Sequence, residues 1–318
     1  MRFFTKADFQ FLAHRRRAYV VSGSIATVGI IAMIVNVVQL GSWLNYGVDF
    51  TGGTLVQVEF RQPTTANDVR ASLGDGETVG VTRFGQEDDF VIRLPLEEEA
   101  DVEDVSQRVE LQLAAAYGED GFDVVRTELV GPTVGAELQR KALLAILLSF
   151  VLTLTYLAFR FEFRFGLAAV IATVHDIMLT LSFIAAFRVE MQLPTIAAIL
   201  TIVGYSLNDT IVVFDRIREN MHAKGARKIE PAVLINRSLN ETLPRTLMTS
   251  LSTLAALIAL LLLGPLVLRD FSMIMFLGIV LGTYSSLWIA APALIEIQRR
   301  WSERGASEHR QRPEPATV

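Results

Sequence analysis

Six windows of the chain are long, apolar and nearly free of charge: Ala18–Leu40, Ala142–Phe159, Phe165–Phe187, Met191–Phe214, Thr246–Leu268 and Phe271–Ile295. A bilayer's hydrocarbon core is about 30 Å thick, and about 20 helical residues rising about 1.5 Å each cross it. Each window can therefore span a membrane. Hydrocarbon offers the backbone no hydrogen-bond partner, so each segment must satisfy its own amides as a helix. The predicted fold class is a polytopic α-helical membrane protein with six transmembrane helices.

Composition removes several chemistries. Among 318 residues there is no cysteine, which excludes disulfide scaffolds, thiolate zinc sites and cysteine nucleophiles. The histidines His14, His175, His222 and His309 are scattered, so no imidazole metal cluster is expected. No phosphate-binding glycine loop, dinucleotide fingerprint or paired-histidine zinc motif occurs. Neither a cofactor nor a metal is expected, nor an enzymatic activity or a nucleic-acid partner.

The net charge of −5 conceals a segregation. Residues 41–140 hold 20 Asp and Glu against 7 Arg, whereas the remainder holds 22 basic and 14 acidic residues. Arg15, Arg16 and Arg17 precede the first window, which the positive-inside rule places with a cytoplasmic N-terminus, residues 1–17. That window (18–40) is too long for a signal-peptide core and no A-x-A-like site closes it, so it reads as an uncleaved first span. Residues 41–140 then fall outside. Spans two to six occupy 141–298, with the basic loop 215–245 inside. The polar tail 299–318 ends inside, and is expected to be solvated and disordered.

The segment between spans one and two has the pattern of a soluble module. Thr54–Phe60 alternates apolar and polar residues as a half-buried strand does. Thr65–Leu73 opens on a capping residue and closes at Gly74, with helical spacing at Val69 and Leu73. Val79–Phe84 and Phe90–Leu94 read as a hairpin around Gly85–Asp89. Glu98–Tyr117 sets Val102, Val105, Val109, Leu113 and Ala116 on one helical face, and Phe122–Val130 alternates again. The order βαββαβ is ferredoxin-like, a fold that by itself supports only binding or docking. Glu97, Glu98 and Glu99 suit a helix N-terminus; cation binding is the alternative.

Ionisable residues inside spans are costly, which makes them functional candidates. His175 and Asp176 lie about 16 Å from either end of the third window, near the bilayer midplane. Adjacent on a helix, they point about 100° apart and are expected to meet different neighbours. They are either a proton-carrying pair or buried glue for helix packing. Asp209 sits in the fourth window among Gly204, Tyr205 and Asn208. Tyr205 shares its face, and Gly204 with Asn208 forms a seam expected to admit another helix. A carboxylate there can cycle between charged and neutral forms, as a proton relay requires. Arg245, at the entrance of the fifth window, either snorkels to the interface or pairs with Asp209. In Gly47-Val48-Asp49-Phe50-Thr51-Gly52-Gly53 the glycines tolerate backbone angles closed to other residues, and Asp49 is placed to cap a turn. This segment reads as a hinge between span and domain.

These residues resemble a known family. The glycine-rich segment Gly47–Gly53, the eighteen residues Val203–Asn220, His175-Asp176 and Asn240–Thr246 match, in place and order, the motifs of the SecF family of the bacterial Sec protein-translocation machinery. The resemblance runs from span one to span six and leaves out only the C-terminal tail. It implies a subunit that pairs with SecD as an RND-superfamily unit in the cytoplasmic membrane. Such a unit uses the proton motive force to help unfolded preproteins leave the SecYEG channel; SecA and YajC are further implied contacts. It also implies that Asp209 and Arg245 lie in the proton path, with Asp176 as a further candidate. The residues themselves leave two other roles open: a proton-coupled exporter of small molecules or lipids, and a passive assembly factor.

Overall fold

The structure is a computed structural model describing residues 8–74, 79–83, 88–94, 102–225, 228–265 and 268–310. After a short 3₁₀ turn, Leu12–His14, helix α1 (Arg15–Leu40) forms the first span. A soluble domain follows, and then helices α5 (Pro132–Arg160), α6 (Phe163–Ala186), α7 (Leu193–His222), α8 (Pro231–Leu263), α9 (Arg269–Ser285) and α10 (Ala291–Arg310). One π turn, Ser286–Ala290, joins α9 to α10, and the pair makes the sixth span.

The soluble domain contains β1 (Asn45–Tyr46), α2 (Val48–Thr51), β2 (Gly53–Phe60), α3 (Ala66–Ser72), β3 (Gly80–Arg83), β4 (Asp89–Leu94), α4 (Val102–Tyr117) and β5 (Phe122–Val130). Its four main strands form an antiparallel sheet in the order β3-β4-β2-β5. This is the ferredoxin-like arrangement, with α3 and α4 on one face. The alternating residues Val56, Val58, Phe60, Phe90 and Ile92 meet Val69, Val109 and Leu113 from the helices in one core. Thr65 Oγ1 accepts from the Asp68 amide and so caps α3. A bulge on β5 leaves Val125 opposite no partner, between the pairs Gln57↔Arg126 and Val58↔Val124. Glu97–Glu99, the centre of the hairpin turn and the end of the tail lie outside the described residues.

The helices are longer than the apolar windows, and this changes three expectations. α5 begins at Pro132, whose missing N–H is harmless at a helix start. The stretch 215–245 is not one loop: α7 continues to His222 and α8 begins at Pro231. Ion pairs knit these extensions, Arg216 to Glu219 and to Glu241 at 2.6 Å and Arg237 to Glu241 at 2.8 Å. The polar tail also departs from expectation, because α10 carries helix to Arg310 and no proline falls within 299–310.

Packing divides the spans into two groups. About half of each apolar window in α6, α7 and the sixth span is buried (56%, 50% and 56%), against 22% in the first span, 6% in α5 and 17% in α8. Small residues permit the close crossings within the core. A Cβ on Gly282 would stand 2.9 Å from Ser206 Cβ, and one on Gly278 would collide with Ile202, so α9 lies tight on α7.

Leu113 is fully buried in the soluble domain's core. Leu113→Ala is expected to cost that domain about 2–5 kcal/mol. Hydrogen exchange checks this: amides of α4 and β2 should exchange faster while those of α7 are unchanged.

Candidate functional site

Four spans converge on Asp176. Its carboxylate is 1% exposed and accepts from Ser206 Oγ of α7 at 2.5 Å and Ser285 Oγ at the end of α9 at 2.7 Å. The neighbouring His175 does more than point elsewhere: its Nδ1 lies 2.9 Å from Asp176 Oδ1, and its Nε2 lies 2.8 Å from Ser22 Oγ of α1. Ser22 Oγ is 3.3 Å from the Tyr284 hydroxyl, which donates to the Ala18 carbonyl at 3.0 Å. In a low-dielectric interior each such donor offsets part of the cost of a buried acid.

Asp209 is held differently. It is 2% exposed, and among the described residues its side chain has one hydrogen-bond donor, Ser250 Oγ of α8 at 3.4 Å. Ser250 is itself 2.7 Å from Thr283 Oγ1 of α9. One turn earlier, Tyr205 OH meets Thr253 Oγ1 at 3.2 Å, so Tyr205 and Asp209 both face α8. A buried carboxylate so sparsely paired loses its charge penalty in two ways, by taking a proton or by meeting a cation. Arg245 supplies no direct ion pair to it; the arginine is exposed on α8, while Thr246 beside it is buried. Gly204 and Asn208 are exposed as well, and nothing lies within 4 Å of a Cβ built on Gly204. Among the described residues no helix crosses closely at Gly204, and Gly278 and Gly282 make that approach from α9 instead.

The glycine segment is bonded to the start of α7. Asp49 Oδ2 accepts from the Leu193 amide at 2.9 Å and caps that helix, not a turn of its own segment. Gly47 N donates to Met191 O at 2.9 Å, where β6 (Glu190–Met191) runs parallel to β1. Gly52 and Gly53 have φ of +75° and +138°, which glycine alone adopts cheaply. Gly47 does not: its φ is −78°, and its missing side chain matters because a Cβ would lie 2.6 Å from Glu190 Oε1. Sequence reasoning passed over Ser22, Ser206, Ser250, Tyr284 and Ser285. Their signal was polarity inside apolar windows, which Ser and Thr also show when they merely bond their own helix backbone. Among the described residues no three His, Asp or Glu side chains gather as a metal site.

Asp176→Ala would strand three donors, so the purified protein is expected to melt at a lower temperature than Ser206→Ala, itself costing about 1 kcal/mol.

Comparison with known proteins places this arrangement. Residues 111–300 match the model of the protein export membrane protein SecD/SecF C-terminal family, and residues 37–64 match the SecD/SecF GG motif. The protein translocase subunit SecF of Gemmatimonas aurantiaca is 42% identical over 95% of this chain and 90% of its own length. That of Desulfurispirillum indicum is 40% identical over 94% and 96%. A crystal structure of SecDF from Thermus thermophilus, described as a translocon-associated membrane protein, superposes with a TM-score of 0.80 at 36% identity over 94% of this chain. SecDF in a super-membrane-facing form superposes at 0.70. The chain spans 40% of the length of either SecDF chain. With family matches over most of its length and six spans around a ferredoxin-like domain, the chain belongs to the SecD/SecF family of protein export membrane proteins, alongside the SecF translocase subunits.

Proposed function

We propose that this multi-pass inner-membrane translocase subunit pairs with SecD and converts proton movement at Asp209 into motion of its soluble domain. That motion promotes the late stage of preprotein export. The observation that carries the reading is the asymmetry between two buried acids. Asp176 is saturated with donors and ties four spans together, whereas among the described residues Asp209 has one long hydrogen bond. A packing anchor fits the first environment and an exchangeable proton site fits the second. Moving one charge through about 100 mV is worth about 2.3 kcal/mol, enough for a few protons to bias a two-state bundle.

Arg245 enters this reading as a group that acts with a partner subunit. It is exposed on α8, a helix this chain leaves mostly uncovered. A second six-span subunit against that face would bury it near the proton path. Two SecDF structures, one of them in a super-membrane-facing form, match this chain at different TM-scores, which supports a fold with more than one arrangement. SecYEG delivers the unfolded chain in this reading, with SecA and YajC as neighbours. Both termini are cytoplasmic and residues 41–140 extracytoplasmic, as the arginine distribution supports.

Two measurements test the proposal. In cells whose only copy is Asp209→Asn, pulse-chase export of a secreted precursor should slow at the release step, with normal protein level and membrane potential. Wild-type release in that variant would remove Asp209 as a required relay. The absence of cysteine makes sidedness direct to read. An impermeant thiol reagent added from outside should label Glu119→Cys and spare Lys224→Cys; the reverse pattern inverts the orientation.

A further inference from the structure

The proposed function requires that movement of α7, which carries Asp209, reach the soluble domain. Short connecting segments ordinarily absorb such movement. Here they are tied down. The link between α6 and α7 forms β6, whose Glu190 and Met191 pair in parallel with Asn45 and Tyr46, just after the first span. Asn45 Nδ2 donates to Arg188 O at 3.3 Å, and Thr195 Oγ1 of α7 donates to Glu190 O at 3.1 Å. The Asp49 cap on Leu193 adds a further tie to the same helix end.

One side chain extends this knot to the sheet. Arg93 lies on β4, between Leu55 of β2 and Gly80 of β3, and its Nη1 donates to Thr82 Oγ1 at 2.6 Å. Its Nε stands 3.3 Å from Glu190 Oε1, and both side chains are 16% exposed. That Nε makes no hydrogen bond, so the attraction is Coulombic, in surroundings dry enough for it to count. Burial pushes the Glu190 carboxyl above its usual range and Arg93 opposes the shift, while Asp49 and Asp270 add to it. Arg93 is thus the cation that opposes the burial penalty of Glu190 beside two other carboxylates. A buried pair of this kind adds little net stability, but removing one partner leaves a stranded charge.

We propose that Arg93 and Glu190 are positioning residues of a rigid joint, which fixes the sheet of the soluble domain to the amino-terminal end of α7 so that the two move as one body. This rests on the reading of Asp209 as the proton site. From Leu193 to Asp209 is about 24 Å of uninterrupted helix, so a tilt generated deep in the bundle arrives at the joint as displacement. The glycine segment then acts as part of a clamp. Its glycines are needed for close approach to Glu190 and for two left-handed backbone angles, and bending during the cycle is not required of them.

The test measures export and proton flux together in membrane vesicles holding the full chain with its partner. Arg93→Gln and Glu190→Gln should each reduce export at least about fivefold while Asp209-dependent proton flux persists. The exchanged pair Arg93→Glu with Glu190→Arg should restore export. A merely structural role would lower protein level, flux and export together, and that result overturns the proposal. A second arm leaves both charges in place: Tyr46→Cys with Met191→Cys, on partnered positions of β1 and β6, closes a disulfide across the joint. Equal export in oxidised and reduced states supports a joint that stays closed, whereas a block relieved by reductant overturns it. Asp209→Asn is measured alongside. If it loses export and the Arg93 and Glu190 variants do not, the joint alone fails; if it exports normally, the proton-site reading falls and takes the joint with it.

Discussion

A polar group inside hydrocarbon needs a partner supplied by the protein, and the architecture follows from that requirement. The backbone meets it with helices longer than the apolar windows. The side chains meet it by convergence. Asp176 finds hydroxyl donors on α7 and α9 and an imidazole on its own helix, and that imidazole reaches α1. The carboxylate therefore fixes which helices lie innermost. Gly278 and Gly282 bring α9 against α7, because donors on separate helices reach one acid only where the backbones nearly touch.

The same requirement explains why the two acids differ. Asp209 lies on the side of α7 that faces α8, and α8 is lightly packed within the chain. Fewer helices surround that site, so fewer donors reach it. An acid at the edge of a bundle is the one whose environment a partner subunit or a proton can change. One at the centre can be altered only by taking the bundle apart. Arg245, Gly204 and Asn208 are exposed on α8 and α7.

The junction with the soluble domain turns a local arrangement into a long-range one. Parallel pairing of β1 with β6 ties the end of the first span to the start of α7. The Asp49 cap and the Arg93–Glu190 pair then place the sheet on the same helix end. Each contact is modest alone. Together they leave few backbone torsions free between the buried Asp209 and the soluble domain.

Much of this was legible in the chain itself. Apolar length specified six spans, because hydrocarbon thickness is a fixed ruler. Period-two alternation and capping residues specified a ferredoxin-like domain, because strands and helices bury one face at their own spacing. Asp176 and Asp209 were marked as costly wherever they fell. What the sequence could not assign was their difference in environment, since Ser22, Ser206, Ser250 and Ser285 come from separate helices whose angular settings are invisible in one dimension. Nor could it show that Asp49 caps a helix 144 residues away, or that Gly47 yields space to Glu190. Periodicity and length are local properties of the chain and can be read from it. Partners are decided by which helix faces meet, and only packing in three dimensions settles that.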